Sequence, residues 1–193
     1  MTALTERFDR ALVYARKHHN SQYRKSTEIP YLAHLMSTAA LVLEAGGDED
    51  QAIAGLLHDS LEDCEYTNTT YEELVGLFGQ RVADIVRDCS DAEPEEGAVK
   101  KPWRFRKEKY IAGLDHHSPD SILVSNADKL HNARSVLADY RIQGEDLWKR
   151  FNPDSDQLWY YRSLADTYLR LESPLADELN RVVTELEELA GRS

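Results

Sequence analysis

The sequence predicts an all-α fold, a single-domain helical bundle of roughly eight to ten helices of ordinary length. Apolar residues recur at helical spacing along nearly the whole chain, and no stretch of any length shows the alternation that marks a strand. Capping residues precede several of these stretches, and glycines follow them. With 193 residues, the chain is long enough to bury a sizeable core as one domain.

The first half of the chain contains three apolar stripes that predict helices. They comprise Leu4, Phe8, Ala11, Leu12 and Ala15; then Leu32, Leu35, Met36, Ala39 and Leu43; then Ala52, Ile53, Leu56 and Leu57. The polar segment HNSQYRKSTEIP separates the first two, and Gly46-Gly47 end the second. Thr70 and Glu73 predict a capping box for a short helix that ends near Phe78-Gly79.

The next predicted helix carries Val82, Ile85 and Val86. Residues 90–101, SDAEPEEGAVKK, are polar and contain proline and glycine, which predicts a mobile loop. Ser118-Pro119 combines an N-cap with proline at the first helical position and predicts the start of a long helix. A last apolar stripe follows Ser173-Pro174 and predicts the C-terminal helix.

The composition excludes several functional classes. The chain has 23 basic and 35 acidic side chains and a net charge of −12, which argues against nucleic-acid or membrane-surface binding. Cys64 and Cys89 form no CxxC motif, so neither a disulfide framework nor a thiolate metal site is indicated. The charged N-terminus lacks an apolar signal segment, and no apolar run approaches the roughly 18 residues of a membrane span. A cytoplasmic location is therefore expected.

The stretch LLHDSLED, residues 56–63, ends an apolar run in one imidazole and three carboxylates. If the helix continues through it, His58 lies one turn from Glu62, and Asp59 lies one turn from Asp63. Neighbouring carboxylates repel one another, and a bound divalent cation is the simplest compensation. The stretch therefore predicts a metal site.

Further candidate ligands lie in two other predicted helices. His34 belongs to the second helix, and Asp128 lies in SNADKLHNAR with His131 and Asn132 one turn on. Together with His58-Asp59, His34 and Asp128 supply two nitrogens and two oxygens, which suit Mn, Fe, Co or Zn better than Mg or Ca.

Taken one at a time, these residues also have ordinary explanations. A lone His34 fits a hydrogen-bonded histidine in or beside the core. The acids at 59, 62 and 63 fit a solvated helix end, and Asp128 fits an ion pair with Lys129 or Arg134. The set as a whole, in its order, favours the metal.

These motifs resemble a known family. His34, His58-Asp59 and Asp128 resemble the H…HD…D signature of HD-domain metal phosphohydrolases. RKSTEIPYLAHL, AGLLHDSLEDCEYTNTTYEELVGLFGQRVADIV and NADKLHNARSV resemble, in order, stretches of the RelA/SpoT-type hydrolase domain. The resemblance covers residues 7–140, and residues 141–193 are expected to complete the bundle with C-terminal helices. In its small size, with no synthetase domain, the chain resembles the stand-alone small alarmone hydrolases.

The resemblance implies hydrolysis of the 3′-diphosphate of guanosine 3′,5′-bis(diphosphate), or of its pentaphosphate form, with release of pyrophosphate and GDP or GTP. It implies one divalent metal, usually Mn²⁺, with Fe, Co or Zn as alternatives. The implied ligands are His34, His58, Asp59 and Asp128, and the residues implied to activate or position the attacking water are Glu62 and Asp63. The residues implied to contact guanine, ribose or phosphates are Arg24, Lys25 and Asn132.

The segment PWRFRKEKY places four cations within six residues of an otherwise acidic chain. One interpretation is a phosphate clamp that borders the cleft, with Arg104 and Lys107 as substrate contacts. The other is an ordinary solvated helix whose aromatic residues lie in the core. The WYY run at 159–161 is interpreted as core packing.

Three departures from the family pattern leave the substrate open. RDCSDAE follows FGQRVADIV, one additional residue precedes Pro30-Tyr31, and Ser125 stands where the large synthetase-hydrolases commonly have lysine. One alternative is an HD phosphatase for another nucleotide: an adenine-type alarmone, the 2′-phosphate of NADPH or a nucleoside monophosphate. The other is a non-catalytic nucleotide-binding module. In each case the expected partner is a small nucleotide, without nucleic acid or membrane.

Overall fold

The computed structural model describes residues 2–62, 68–90 and 101–191. Across these ranges the chain forms nine α-helices and two 3-10 helices, so the predicted all-α fold and helix number are confirmed. The α-helices are α1 Glu6–His18, α2 Leu32–Glu44, α3 Glu49–Leu57, α4 Tyr71–Phe78, α5 Gln80–Cys89, α6 Trp103–Gly113, α7 Pro119–Gln143, α8 Gln157–Arg170 and α9 Ala176–Leu189. The 3-10 helices are Leu114–His116 and Gly144–Arg150.

Irregular structure connects these helices in the described ranges. An isolated antiparallel bridge pairs Tyr23 with Pro30 in the segment between α1 and α2. Most of the predicted 90–101 loop lies outside the described residues. Among the helices that the structure describes, none is long and apolar enough to cross a membrane.

The chain divides into two compact units. The first comprises Met1–Glu93 and His117–Ala127, and the second comprises Pro94–His116 and Asp128–Ser193. The first unit therefore contains α1 to α5 and the beginning of α7. The second contains α6, the remainder of α7, α8 and α9.

Side-chain caps fix the starts of several helices. The Thr70 hydroxyl accepts a hydrogen bond from the Glu73 amide at the start of α4, which is the N-cap half of the predicted capping box. The Ser118 hydroxyl accepts one from the Ser121 amide at the start of α7. Asp48 begins α3 with a full capping box, in which Gln51 bonds back to the Asp48 amide.

Helix α3 is the centre of the first unit. It packs against α1, α2 and α5, and residues 51–57 are all buried. Gly55 permits a close approach of α2, because a Cβ atom at this position would lie 3.1 Å from the Ala39 Cα. Since α2 carries His34 and His58 directly follows α3, this close packing brings the two histidines near each other.

A charge network links three helices of the first unit. Arg81 on α5 contacts Asp48 Oδ2 at 2.6 Å and Asp120 Oδ2 at 2.7 Å, which ties α5 to the starts of α3 and α7. Partial burial raises the pKa of Asp48, but hydrogen bonds from Arg81 and the Gln51 amide outweigh it and lower the pKa overall.

The second unit is rich in aromatic residues. Helix α8 packs against α9 and α6, and Trp103 lies edge-on to Trp159 and Tyr160. Tyr160 and Tyr161 are each 6% exposed, which confirms core packing for these two residues of the WYY run, whereas Trp159 is only partly buried.

Candidate metal centre

Three of the predicted ligands meet in the first unit. The ligand atoms of His34, His58 and Asp59 all lie within 4.8 Å of one another. Asp59 Oδ2 is 3.0 Å from His58 Nε2 and 3.7 Å from His34 Nε2. Both imidazoles are 1% exposed, whereas the Asp59 side chain is 16% exposed. The cluster thus consists of two buried imidazoles and one more accessible carboxylate.

The chemistry of the three groups fits a divalent metal. His58 Nδ1 lies 2.9 Å from the Gly55 carbonyl oxygen, a contact in which the ring N–H donates. In the neutral imidazole this assigns the lone pair to Nε2, the nitrogen that faces Asp59. Two lone-pair donors that face each other at 3.0 Å attract only when a cation or a proton lies between them. Imidazole nitrogen and carboxylate oxygen are ligands that Mn, Fe, Co and Zn accept.

The prediction that the helix continues through LLHDSLED is wrong. Helix α3 ends at Leu57, and residues 58–62 form turns. The Ser60 amide donates to the Leu57 carbonyl at 2.8 Å, and the Glu62 amide donates to the Asp59 carbonyl at 3.2 Å. These are bonds of 3-10 type, so His58 and Glu62 do not form a one-turn pair on an α-helix.

Of the two predicted catalytic acids, the structure describes Glu62. Glu62 is exposed, at the end of the turns that follow the cluster. Asp63 lies outside the described residues, and so does Cys64. Their roles at the attacking water stay predictions.

Sequence reasoning missed Tyr31. Its hydroxyl donates to Asp59 Oδ2 at 2.5 Å, and its ring lies edge-on to His34 with 5.4 Å between centroids. The available signal was its position three residues before His34, in the stretch YLAH. Its partner Asp59 is 28 residues away along the chain, so the contact depends on tertiary structure.

Asp128, the fourth predicted ligand, lies on α7 in the second unit and is 4% exposed. Its Oδ2 accepts a hydrogen bond from Lys129 Nζ at 2.5 Å, and its Oδ1 accepts one from Asn132 Nδ2 at 2.6 Å. Of the two ion-pair partners considered from sequence, Lys129 is therefore the one observed. Arg134 instead contacts Glu178 at 3.0 Å.

Lys129 is a largely buried cation, with a side chain 16% exposed, and it lies near one carboxylate and several tyrosines. Desolvation acts to lower its pKa, but the charge of Asp128, with smaller contributions from tyrosines including Tyr110, raises the pKa well above its ordinary value. Its Nζ lies 5.0 Å from the Tyr110 ring centroid. The ammonium therefore stays charged and fixes the Asp128 carboxylate.

The predicted substrate contacts are divided between the two units. In the first unit, Arg24 and Lys25 lie in the segment between α1 and α2, and the Arg24 amide donates to the Ile29 carbonyl at 2.8 Å. The Arg24 guanidinium carbon lies 5.7 Å from the Tyr31 ring centroid. Lys25 is exposed.

In the second unit, the basic segment forms α6. Arg104 contacts Glu108 Oε1 at 2.8 Å and lies over the Trp159 ring, 3.1 Å from its centroid. Lys107 Nζ lies 5.1 Å from the Tyr160 ring centroid. These contacts combine a charged helix surface with aromatic packing, and the role of Arg104 and Lys107 toward substrate stays a prediction.

Comparison with known families gives a match to the HD domain over residues 11–151. The chain belongs to the HD-domain family. This confirms the resemblance seen in the motifs around His34, His58-Asp59 and Asp128.

Named relatives are similar to this HD-domain chain. An Aquifex aeolicus guanosine-3′,5′-bis(diphosphate) 3′-pyrophosphohydrolase is 35% identical over 131 residues, which are 68% of this chain and 18% of that protein. The Xenopus tropicalis guanosine-3′,5′-bis(diphosphate) 3′-pyrophosphohydrolase MESH1 is 37% identical over 126 residues, which are 64% of this chain and 65% of that protein. The chain thus spans less than two thirds of the length of each.

A solved structure has the same fold. It is described as a metazoan ortholog of SpoT that hydrolyzes ppGpp, and it matches with a TM-score of 0.76 and 25% identity. The match covers 96% of this chain and 98% of that chain.

Proposed function

We propose that this HD-domain protein is a metal-dependent hydrolase that acts on guanosine 3′,5′-bis(diphosphate) and its pentaphosphate form. Hydrolysis removes the 3′-diphosphate and releases pyrophosphate with GDP or GTP. The observation that carries the proposal is the convergence of His34, His58 and Asp59 within 4.8 Å in an HD-domain chain. The names of the Aquifex and Xenopus relatives support the choice of substrate.

The proposed ligands are His34, His58, Asp59 and Asp128, with Mn²⁺ as the metal. The geometry of the first three supports their part of the set. The order of the family motif supports Asp128. A divalent metal in this site lowers the pKa of a coordinated water and offsets negative charge on the phosphoryl oxygens.

The chain's own acids and cations supply the other proposed roles. Glu62 and Asp63 are proposed to accept the proton of the attacking water, a task suited to carboxylates beside a cation. Arg24 and Lys25 are proposed to contact guanine and phosphates, and Asn132 the ribose and phosphate. The contact between Arg24 and the Tyr31 ring holds the guanidinium near the residue that bonds Asp59.

The basic helix α6 is the proposed source of local positive charge. Arg104 and Lys107 would meet the charge of the diphosphate leaving group in a chain whose net charge is −12. We also propose that the protein acts on a small nucleotide in the cytoplasm, without nucleic acid or a membrane as partner. The assignment of all 193 residues to one domain stays a prediction.

A substrate panel with added Mn²⁺ tests the proposal. It includes both guanosine alarmones, their adenine analogue, NADPH and nucleoside monophosphates, with phosphate and pyrophosphate measured separately. We expect pyrophosphate from the guanosine alarmones. Release of orthophosphate from another member of the panel, with none of the expected pyrophosphate, would refute the substrate assignment.

A second experiment tests the proposed acid. Glu62→Gln should lower kcat by about 10²- to 10⁴-fold, the usual contribution of general acid–base catalysis, with Mn²⁺ binding retained. Glu44→Gln changes another exposed carboxylate of the first unit, at the end of α2, and should have wild-type turnover. Equal turnover of the two variants would remove Glu62 from the mechanism.

A further inference from the structure

Tyr31 stands between two groups to which the proposed function assigns different tasks. Its hydroxyl donates to Asp59 Oδ2 at 2.5 Å, and the Arg24 guanidinium lies over its ring at 5.7 Å from the centroid. Asp59 is a proposed metal ligand, and Arg24 is a proposed nucleotide contact. One side chain thus touches both parts of the site.

The hydrogen bond to Asp59 is of a strong kind. An O–H donor at 2.5 Å from a carboxylate oxygen is within the range of charge-assisted bonds. It engages Oδ2, the same oxygen that lies 3.0 Å from His58 Nε2 and 3.7 Å from His34 Nε2. The bond therefore fixes the oxygen that faces both imidazoles, and groups that orient ligands in this way commonly set metal affinity.

Tyr31 is itself held in place by its surroundings. Its amide donates to the Gln22 carbonyl at 2.9 Å, and its ring stacks on the His19 ring, with 5.5 Å between centroids and 24° between planes. His19 and Gln22 are both buried and contact each other, with 2.5 Å between His19 Nδ1 and Gln22 Oε1. The hydroxyl is thus presented from a rigid support, which is what a positioning group requires.

The contact with Arg24 has a different physical basis. A guanidinium within about 6 Å of a tyrosine centroid is attracted by the electrons of the ring face. This attraction depends on the aromatic ring and survives loss of the hydroxyl. The two contacts of Tyr31 can therefore be separated by substitution.

We propose that Tyr31 is a positioning residue: its hydroxyl fixes the Asp59 carboxylate for metal binding, and its ring orders Arg24 for the nucleotide. The first part requires only the metal site. The second part rests on the proposed function, because it assigns Arg24 to substrate.

Mn²⁺ titration of the full-length, chelator-stripped protein by calorimetry tests the first part. Tyr31→Phe should raise the Kd for Mn²⁺ by about 10- to 100-fold, the usual effect of losing a group that orients a ligand. Tyr71→Phe is the matched control, because the Tyr71 hydroxyl donates to Asp84 Oδ1 at 2.6 Å in the same unit, and neither residue belongs to the cluster. The control should keep the wild-type Kd. Equal Mn²⁺ affinity in wild type and Tyr31→Phe overturns the assignment.

Steady-state kinetics at saturating Mn²⁺ test the second part. Tyr31→Phe keeps the ring and should keep the wild-type KM for guanosine 3′,5′-bis(diphosphate), whereas Tyr31→Leu should raise it several-fold. Equal KM values for the two variants overturn the link to Arg24. If the wild type releases no pyrophosphate, the proposed function and this link fall together, while the Mn²⁺ titration still decides the role of the hydroxyl.

Discussion

The Nε2 atom of His58 lies 3.0 Å from Oδ2 of Asp59, while the other ring nitrogen donates to the Gly55 carbonyl. A neutral imidazole in this tautomer directs its lone pair at a carboxylate. The lone pair and the carboxylate repel each other, and a cation between the two atoms attracts both. The folded chain should therefore bind a divalent metal more tightly than the unfolded chain does.

The first prediction is that Mn²⁺ stabilises the protein against heat and that Asp59→Asn removes the effect. A ligand at 100 times its Kd adds about 2.7 kcal/mol to the free energy of unfolding. Thermal denaturation with and without Mn²⁺ measures this. Asp84→Asn, which changes another tyrosine-bonded aspartate, should keep the full stabilisation. If the wild-type Tm is the same with and without Mn²⁺, the assignment of the metal site is contradicted.

The second prediction concerns the buried pair of Asp128 and Lys129. Asp128→Ala should cost about 3–5 kcal/mol of stability, because it leaves a largely buried ammonium without its carboxylate. The double variant Asp128→Ala/Lys129→Met should recover most of this loss in urea unfolding. Both variants should lose Mn²⁺ affinity if Asp128 is a ligand.

An exposed ion pair in the second unit serves as the control, because its N–O distance equals that of Lys129 and Asp128. Lys149 Nζ lies 2.5 Å from Asp146 Oδ1, but both side chains are largely exposed, at 80% and 74%. Asp146→Ala should leave the free energy of unfolding unchanged. A double variant of Asp128 and Lys129 no more stable than Asp128→Ala would show that the loss does not come from the unpaired ammonium.

The third prediction tests the close approach of α2 and α3. Gly55→Ala places a Cβ atom 3.1 Å from the Ala39 Cα and should destabilise the fold by about 1–3 kcal/mol through overpacking. Gly76→Ala, inside α4, meets no atom within 4 Å and should stabilise by about 0.5–1 kcal/mol. Chemical denaturation of both variants compares them. Similar effects in the two would mean that the helices adjust freely at Gly55.

The fourth prediction concerns acid stability. Folding lowers the pKa of Asp48: burial raises it, and the Arg81 and Gln51 hydrogen bonds more than reverse this. The unfolded chain therefore binds the proton more readily, so Asp48 stabilises the fold above about pH 4 and loses this effect as the pH falls. Asp48→Asn keeps an N-cap of similar quality but loses the charge.

The stability difference between wild type and Asp48→Asn should be present at pH 7 and shrink steadily as the pH falls below about 4. Because the Asp48 side chain is 48% exposed, the difference should be under about 1 kcal/mol. Urea unfolding across this pH range measures it, with Asp154→Asn as an exposed loop control. A difference that grows on acidification has the opposite sign and would refute the assignment.

Much of the fold could be predicted because it depends on local patterns. The apolar spacing from Leu32 to Leu43 predicted α2, and Thr70 and Ser118 marked two helix starts through caps that involve neighbouring residues. The end of α3 was not predicted. After Leu57, tighter turns replace the helix, and the His58 ring donates a hydrogen bond to the Gly55 carbonyl. Hydrophobic spacing contains no signal for this side-chain contact.

The candidate site was predictable in its members but not in its supports. His34 and His58-Asp59 were identified from their motif, and the structure brings them together. The hydrogen bond from Tyr31 and the contact of Lys129 with the Tyr110 ring follow from tertiary structure. A list of spacings contains no information about which carboxylate oxygen a distant hydroxyl meets.

The aromatic residues of the second unit also provide an internal optical probe. The chain contains three tryptophans, Trp103, Trp148 and Trp159, and all of them belong to that unit. His34, His58 and Asp59 belong to the other unit. Intrinsic fluorescence during denaturation therefore follows one half of the molecule, whereas far-ultraviolet dichroism follows helices in both. A tryptophan fluorescence transition that Mn²⁺ shifts would show that ion binding in one unit changes the unfolding of the other.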